Sequence, residues 1–119
     1  MESTLQQAPT TLLSQPQEGV TLILAGRVYV TPSEVEELVA EAQQTVPLAL
    51  ANKGCLLIAF TLDDLAAGSM LVLEHWRSQE ALEAHLAKPE VVALFTKWGS
   101  KMKNEVRKFD ASNERSPRE

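Results

Sequence analysis

The chain has 119 residues, 45% hydrophobic and 23% charged, which supplies one core and leaves no length for a second. Its formal net charge of −5 excludes a global positive field toward nucleic acid or anionic membranes, so neither is an expected partner. The single cysteine, Cys55, forms no intramolecular disulfide and fits a reducing compartment, and with only two histidines beside it no metal site is expected.

No run approaches the roughly 18–20 apolar residues that span a bilayer. The N-terminus lacks the basic and apolar segments of a signal peptide, so a cytoplasmic protein is expected. Residues 1–18 (MESTLQQAPTTLLSQPQE), rich in Gln, Thr, Ser and Pro, read as a disordered tail. Residues 112–119 read the same way, which leaves 19–111 as the folded domain.

Val20 to Val30 (VTLILAGRVYV) is β-branched and apolar, a first strand. Thr31-Pro32-Ser33-Glu34 then supplies a helix start, with Thr31 as cap, Pro32 at the first position and Glu34 completing a capping box. Val35, Leu38, Val39, Ala42 and Val46 form one apolar stripe, which Pro47 kinks or ends. After the Asn52-Lys53-Gly54 turn, Cys55 to Leu62 predicts a second strand and Ser69 to Trp76 a third. Ser78 caps a second helix whose apolar face is Ala81, Leu82, His85 and Leu86. Pro89 opens a third with the stripe Val91, Leu94, Phe95 and Trp98, and Gly99 stops it. Glu105 to Asp110 predicts a single closing edge strand. The cationic cluster Lys97, Lys101, Lys103, Arg107 and Lys108 reads as a solvated face beside acidic neighbours.

The order β-α-β-β-α-α-β gives a split β-α-β sandwich, a four-stranded antiparallel sheet with its helices on one face. Such a sheet with one wet face alternates apolar and polar residues. Here Leu22-Ile23-Leu24-Ala25, Leu56-Leu57-Ile58-Ala59-Phe60 and Met70-Leu71-Val72-Leu73 are apolar on both faces. A homodimer that covers the second face is therefore expected.

The string Leu73-Glu74-His75-Trp76-Arg77-Ser78-Gln79-Glu80-Ala81-Leu82-Glu83-Ala84-His85-Leu86, followed by Pro89, resembles the antibiotic-biosynthesis-monooxygenase family. That family's pattern is a strand ending Glu-x-Trp, a Ser cap and a helix reading Glu-Ala-Leu-x-x-His-Leu. Gly54-Cys55 is similar to its turn into the second strand, and the resemblance covers about residues 19–110. It implies an α+β, ferredoxin-like fold assembled as a dimeric α/β barrel, with an apolar pocket between helices and sheet. Characterised branches oxidise quinols or anthrones with molecular oxygen and no cofactor, or degrade haem. The quinol-monooxygenase-like branch is nearest, sharing His85-Leu86 on the second helix.

Carried over by residue, Trp76 matches a tryptophan implicated in the anthrone-oxidising branch. That branch's asparagine and tyrosine are Val72 and Leu82 here, and a tyrosine common after the Gly-Cys pair is Ile58. The asparagine, tryptophan and iron-binding histidine of the haem-degrading branch correspond to Gly26, His85 and Phe95, which disfavours haem degradation.

Cofactor-free oxygenation needs an apolar pocket for a flat ligand and one base within hydrogen-bond reach. His85 is the available base, its alternative being a core histidine satisfied by a carbonyl or by a partner subunit. Trp76 reads as a platform for an aromatic ligand, as an indole donor or as core. Glu74, on the same strand face as Val72 and Trp76, either orients His85 or is paired with Arg27 or Arg77. Val72, Ile58, Leu82 and Phe95 complete the expected lining for a small apolar aromatic ligand. His75 faces away, Tyr29 sits near the dimer face, and Cys55 is a small core hydrophobe. The expected function is a cofactor-independent monooxygenase acting on a quinol or related hydroxy-aromatic. The alternatives are a non-catalytic dimeric binding or sensing module and a dimerisation scaffold with a filled core.

Overall fold

The structure, a computed structural model, describes residues 19–119, and the tail expected at 1–18 lies outside them. The elements are β1 (Thr21–Tyr29), a 3-10 turn (Pro32–Glu34), α1 (Val35–Gln43), α2 (Val46–Leu50), β2 (Cys55–Asp64) and β3 (Ser69–Trp76). They continue with α3 (Gln79–Leu86), α4 (Pro89–Trp98), β4 (Lys103–Asn104) and β5 (Arg107–Ala111). β3 lies between β2 and β1, all antiparallel, and β4 and β5 share the other edge of β1. This is the expected α+β, ferredoxin-like arrangement. Residues 112–119 carry no helix or strand, and no helix among the described residues is long and apolar enough to cross a membrane.

Two local expectations fail for identifiable reasons. The edge strand expected over 105–110 is two pieces, broken at Glu105-Val106 without a change of register against β1. The break lies beside Gly26, which has φ +150, and a Cβ there would overlap the Glu105 carbonyl oxygen and come 2.8 Å from Val106 Cα. At the break Val106 N donates to Asn104 Oδ1 at 2.8 Å instead of to the ladder. The capping box at Thr31 does not form either. Thr31 makes no side-chain cap bond, the first turn is 3-10, and the Glu34 carboxylate instead accepts from Lys101 Nζ at 3.0 Å. A charge partner in the turn after α4 outcompetes the local reciprocal bond.

Other signals act as the sequence reads. Pro47 stands in the first turn of α2, after α1 has stopped at Gln43. Ser78 Oγ accepts from Ala81 N at 3.1 Å and starts α3, a cap worth about 1 kcal/mol. In the cationic cluster Lys97, Lys101 and Lys103 meet carboxylates, whereas Arg107 bonds the Val106 carbonyl and Lys108 the Gln79 amide oxygen. Lys97 Nζ donates to Glu37 and Glu41 at 2.9 and 2.6 Å, and these two partners raise its pKa to about 12. Trp98 Nε1 also donates to Glu41, at 2.9 Å, so α4 is tied to α1 at its C-terminal end.

Alternation along the strands sorts the two faces. On the helix side β1 offers Leu22, Leu24 and Val28, and β3 offers Met70, Val72, Glu74 and Trp76. These feed two core clusters, one around Val28, Leu38, Met70, Val72 and Trp98, the other around Leu22, Ile58, Trp76 and Leu82. The open face carries Ile23, Ala25, Leu71, Leu73 and His75, with Phe109 of β5 opposite Ile23 and Leu57 opposite His75. Leu57, Leu71, Leu73 and Phe109 remain 46, 39, 38 and 55% exposed. His75 Nε2 lies 2.7 Å from Thr21 Oγ1 on this face.

Candidate functional site

A cavity of about 200 Å³ lies between the sheet and the helices. Leu24, Val28, Phe60, Met70, Val72 and Glu74 form its sheet side. Leu38 and Ala42 of α1, His85 and Leu86 of α3, and the stripe Val91, Leu94, Phe95 and Trp98 of α4 form the helix side. Leu86 and Phe95 are also 40 and 46% exposed, so the cavity reaches the surface between α3 and α4. A scaffold with a filled core has no such void.

Glu74 and His85 are the ionisable groups on this wall. The pairing Ile58–Glu74–Leu24 across β2, β3 and β1 surrounds the carboxylate with aliphatic neighbours. Burial there raises the Glu74 pKa, and a hydrogen bond from Trp76 opposes the rise. Trp76, two residues on and on the same strand face, donates from Nε1 to Glu74 Oε1 at 2.9 Å. All three expected partners of Glu74 are therefore corrected. Among the described residues it bonds neither His85 nor Arg77, and Arg27 is engaged with Asp63, Nε to Oδ2 at 2.8 Å.

His85 follows Leu82 on the buried stripe of α3, one turn nearer the cavity, and is itself 3% exposed. Its ring lies 5.0 Å from that of Trp76, tilted by 35°. Burial lowers its pKa, as does the nearby Lys88 charge, and both favour the neutral imidazole. Its Nδ1 is buried without a hydrogen-bond partner among the described residues, where the core-histidine reading expects a carbonyl. An unpaired buried polar atom costs about 1–3 kcal/mol.

Of the residues singled out from sequence, His85, Glu74, Val72 and Phe95 meet on the cavity wall. Trp76 is fully buried behind them, with its indole edge on Glu74 and its face toward His85, and offers no platform to a ligand. Ile58 and Leu82 belong to the second core cluster. Phe60, Met102, Asn104 and Val106 were not anticipated on the wall. Phe60 lies one pleat beyond Ile58 and opposite Val72, on the face the alternation already assigned; Val106 stands in the predicted edge strand, while Met102 and Asn104 come from a segment without periodicity. Cys55 is half-buried with its thiol pKa raised by burial, which suits a packed side chain and not a nucleophile. At the position matching the haem-branch asparagine, the overlap with Glu105 leaves Gly26 no room for a side chain.

Comparison with known proteins agrees with this geometry. An uncharacterized protein of Synechocystis, sll1783, is 29% identical over 83 residues, 68% of this chain, and this chain spans only 56% of that protein's length. A Bacteroides thetaiotaomicron protein of unknown function, described as a possible oxidoreductase, superposes with a TM-score of 0.68 at 16% identity, over 80% of this chain and 100% of that one. A candidate antibiotic biosynthesis monooxygenase from Caulobacter crescentus gives 0.67 at 20% identity, over 89% and 99%. At these identities the likeness is one of fold. The family model for antibiotic biosynthesis monooxygenases matches residues 21–97, from β1 through nearly all of α4. The chain belongs to the antibiotic biosynthesis monooxygenase (ABM) family, some of whose members are monooxygenases.

Proposed function

We propose that the protein is a cofactor-independent monooxygenase that oxidises a quinol or related hydroxy-aromatic with O2 in this cavity, with His85 as the base. The observation that carries the reading is an imidazole, its pKa lowered by burial, on the wall of an otherwise apolar, ligand-sized void. His85 Nδ1 is enclosed by the protein, so the lone pair offered to a ring hydroxyl is that of Nε2 in the neutral ring. Loss of that proton to His85 leaves an electron-rich anion, which passes an electron to O2. Recombination of the radical pair forms a C–O bond, and loss of water completes the reaction. One oxygen atom enters the product, the other leaves as water, and the substrate supplies all four electrons. The apolar wall excludes bulk water from the anion. Trp76 positions Glu74 and His85 and does not touch the substrate.

The second copy of the chain belongs to the same proposal. The half-exposed row Leu57, Leu71, Leu73 and Phe109 is an apolar patch of the kind that pairs through a two-fold contact. A cytoplasmic setting, suggested by the lone Cys55, completes it.

The test is turnover of a reduced naphthoquinol by purified, metal-stripped protein under 18O2. The proposal predicts one labelled atom per product molecule and one in water, at a rate above autoxidation. Product without label, or none above background, refutes it and leaves the non-catalytic binding module.

A further inference from the structure

The wall chemistry also says which ligand the cavity takes, an inference that rests on the cavity being the binding site. Thr45 lines it, but its hydroxyl proton is spent on the Ala42 carbonyl at 2.7 Å. Asn104 lines it too, with its side-chain oxygen occupied by Val106 N at 2.8 Å. The ionisable acceptors on the wall are His85 and Glu74. Trp76 holds Glu74 by Oε1 at 2.9 Å, whereas Oε2 bonds nothing among the described residues. Because the imidazole packs against the same indole at 5.0 Å, Trp76 fixes both acceptors on one side of the void. Apolar cavities of about 150 Å³ admit benzene. One of about 200 Å³ therefore takes a substituted single ring or two fused rings, and is short of three.

We infer that Glu74 is the selectivity residue of this cavity: with His85 it accepts an uncharged one- or two-ring arene bearing two hydroxyl donors, and it turns away ring carboxylates. A second hydroxyl gains a hydrogen bond to an ionised acceptor. A carboxylate on the ring meets a like charge in a poorly solvated space.

Anaerobic calorimetric titration at pH 8, on the alkaline side where the carboxylate form is favoured, separates these effects from turnover. The probes are 1-naphthol, 1,4-dihydroxynaphthalene and 1,4-dihydroxy-2-naphthoate. The diol is expected to bind about tenfold or more tighter than naphthol, and the carboxylated diol about tenfold or more weaker than the diol. In Glu74→Gln the Trp76 indole still claims the side-chain oxygen, so the amide NH2 takes the place of Oε2 and an acceptor becomes a donor. The advantage of the diol over naphthol should collapse, and the carboxylated diol should tighten about tenfold. Glu74→Leu, which keeps the volume and offers neither donor nor acceptor, should level all three ligands. Wild-type protein that does not distinguish diol from naphthol, or binds none of the three, overturns the inference. So do ratios that survive in both variants. Selective binding without oxidation sinks the oxygenase and leaves this inference standing; oxidation with unchanged ratios does the reverse.

Discussion

Trp76→Phe isolates the contact on which the polar end of the cavity depends. The indole is fully buried, and its Nε1 is the one hydrogen-bond donor to Glu74 among the described residues. Phenylalanine keeps an aromatic ring against His85 but loses the donor and roughly 40 Å² of buried surface, about 1 kcal/mol. Losing a hydrogen bond to an ionised carboxylate adds about 1.5–3 kcal/mol, so the variant should be destabilised by about 2.5–4 kcal/mol at pH 7. The cost depends on pH, and its sign follows from the raised Glu74 pKa. A carboxyl raised on folding contributes its full stability below its unfolded pKa and loses it as pH rises through the folded value. Removing the indole donor raises the folded value further, so the loss grows with pH. Urea unfolding at fixed protein concentration should therefore show a much smaller cost, near the packing part of about 1 kcal/mol, at pH 4. Equal destabilisation at both pH values refutes the Trp76–Glu74 account.

Gly26→Ala should cost about 2–4 kcal/mol in the same assay, because its Cβ meets the Glu105-Val106 backbone and its φ is +150; a cost under about 0.5 kcal/mol means that the edge yields freely. The double variant Leu71→Asp/Leu73→Asp places charges on the open face, and sedimentation should report a dimer for the wild type and a folded monomer for the variant; an unchanged mass removes that face from the interface. The acid limb of the pH–rate profile should fall below the ordinary imidazole value of 6.5, since burial and then Lys88 lower the His85 pKa. Lys88→Gln should move that limb to higher pH, and a limb that stays in place separates it from His85.

Much of the fold was legible because local chemistry and burial agree. Ser78 caps the helix that the stripe through Leu82 and His85 predicts, and the same residues then face the sheet. The double-faced apolar runs in β1 to β3 announced an open face that the helices do not cover. Where the reading failed, a distant partner decided. Glu34 left Thr31 for Lys101, far along the chain, and the edge strand broke at Glu105-Val106, where a glycine on β1 lets the backbone come close. The site was half legible for the same reason. Strand alternation placed Glu74 and Val72 on the helix side beside Trp76, but periodicity does not say which of three coplanar side chains faces a void. Packing decides that, and it seals Trp76 behind the two acceptors. Neither did it distinguish Ile58 from Phe60, which share a face and differ only in which row borders the cavity.

The central claim is that His85 is the base of an oxygen-consuming reaction. Oxygen uptake by the metal-stripped wild type and by His85→Ala, with one reduced naphthoquinol at saturating concentration, tests it most directly. Removal of a general base predicts a fall in kcat of about 10²–10⁴-fold, with the protein still folded. Uptake at the wild-type rate in the variant contradicts the assignment.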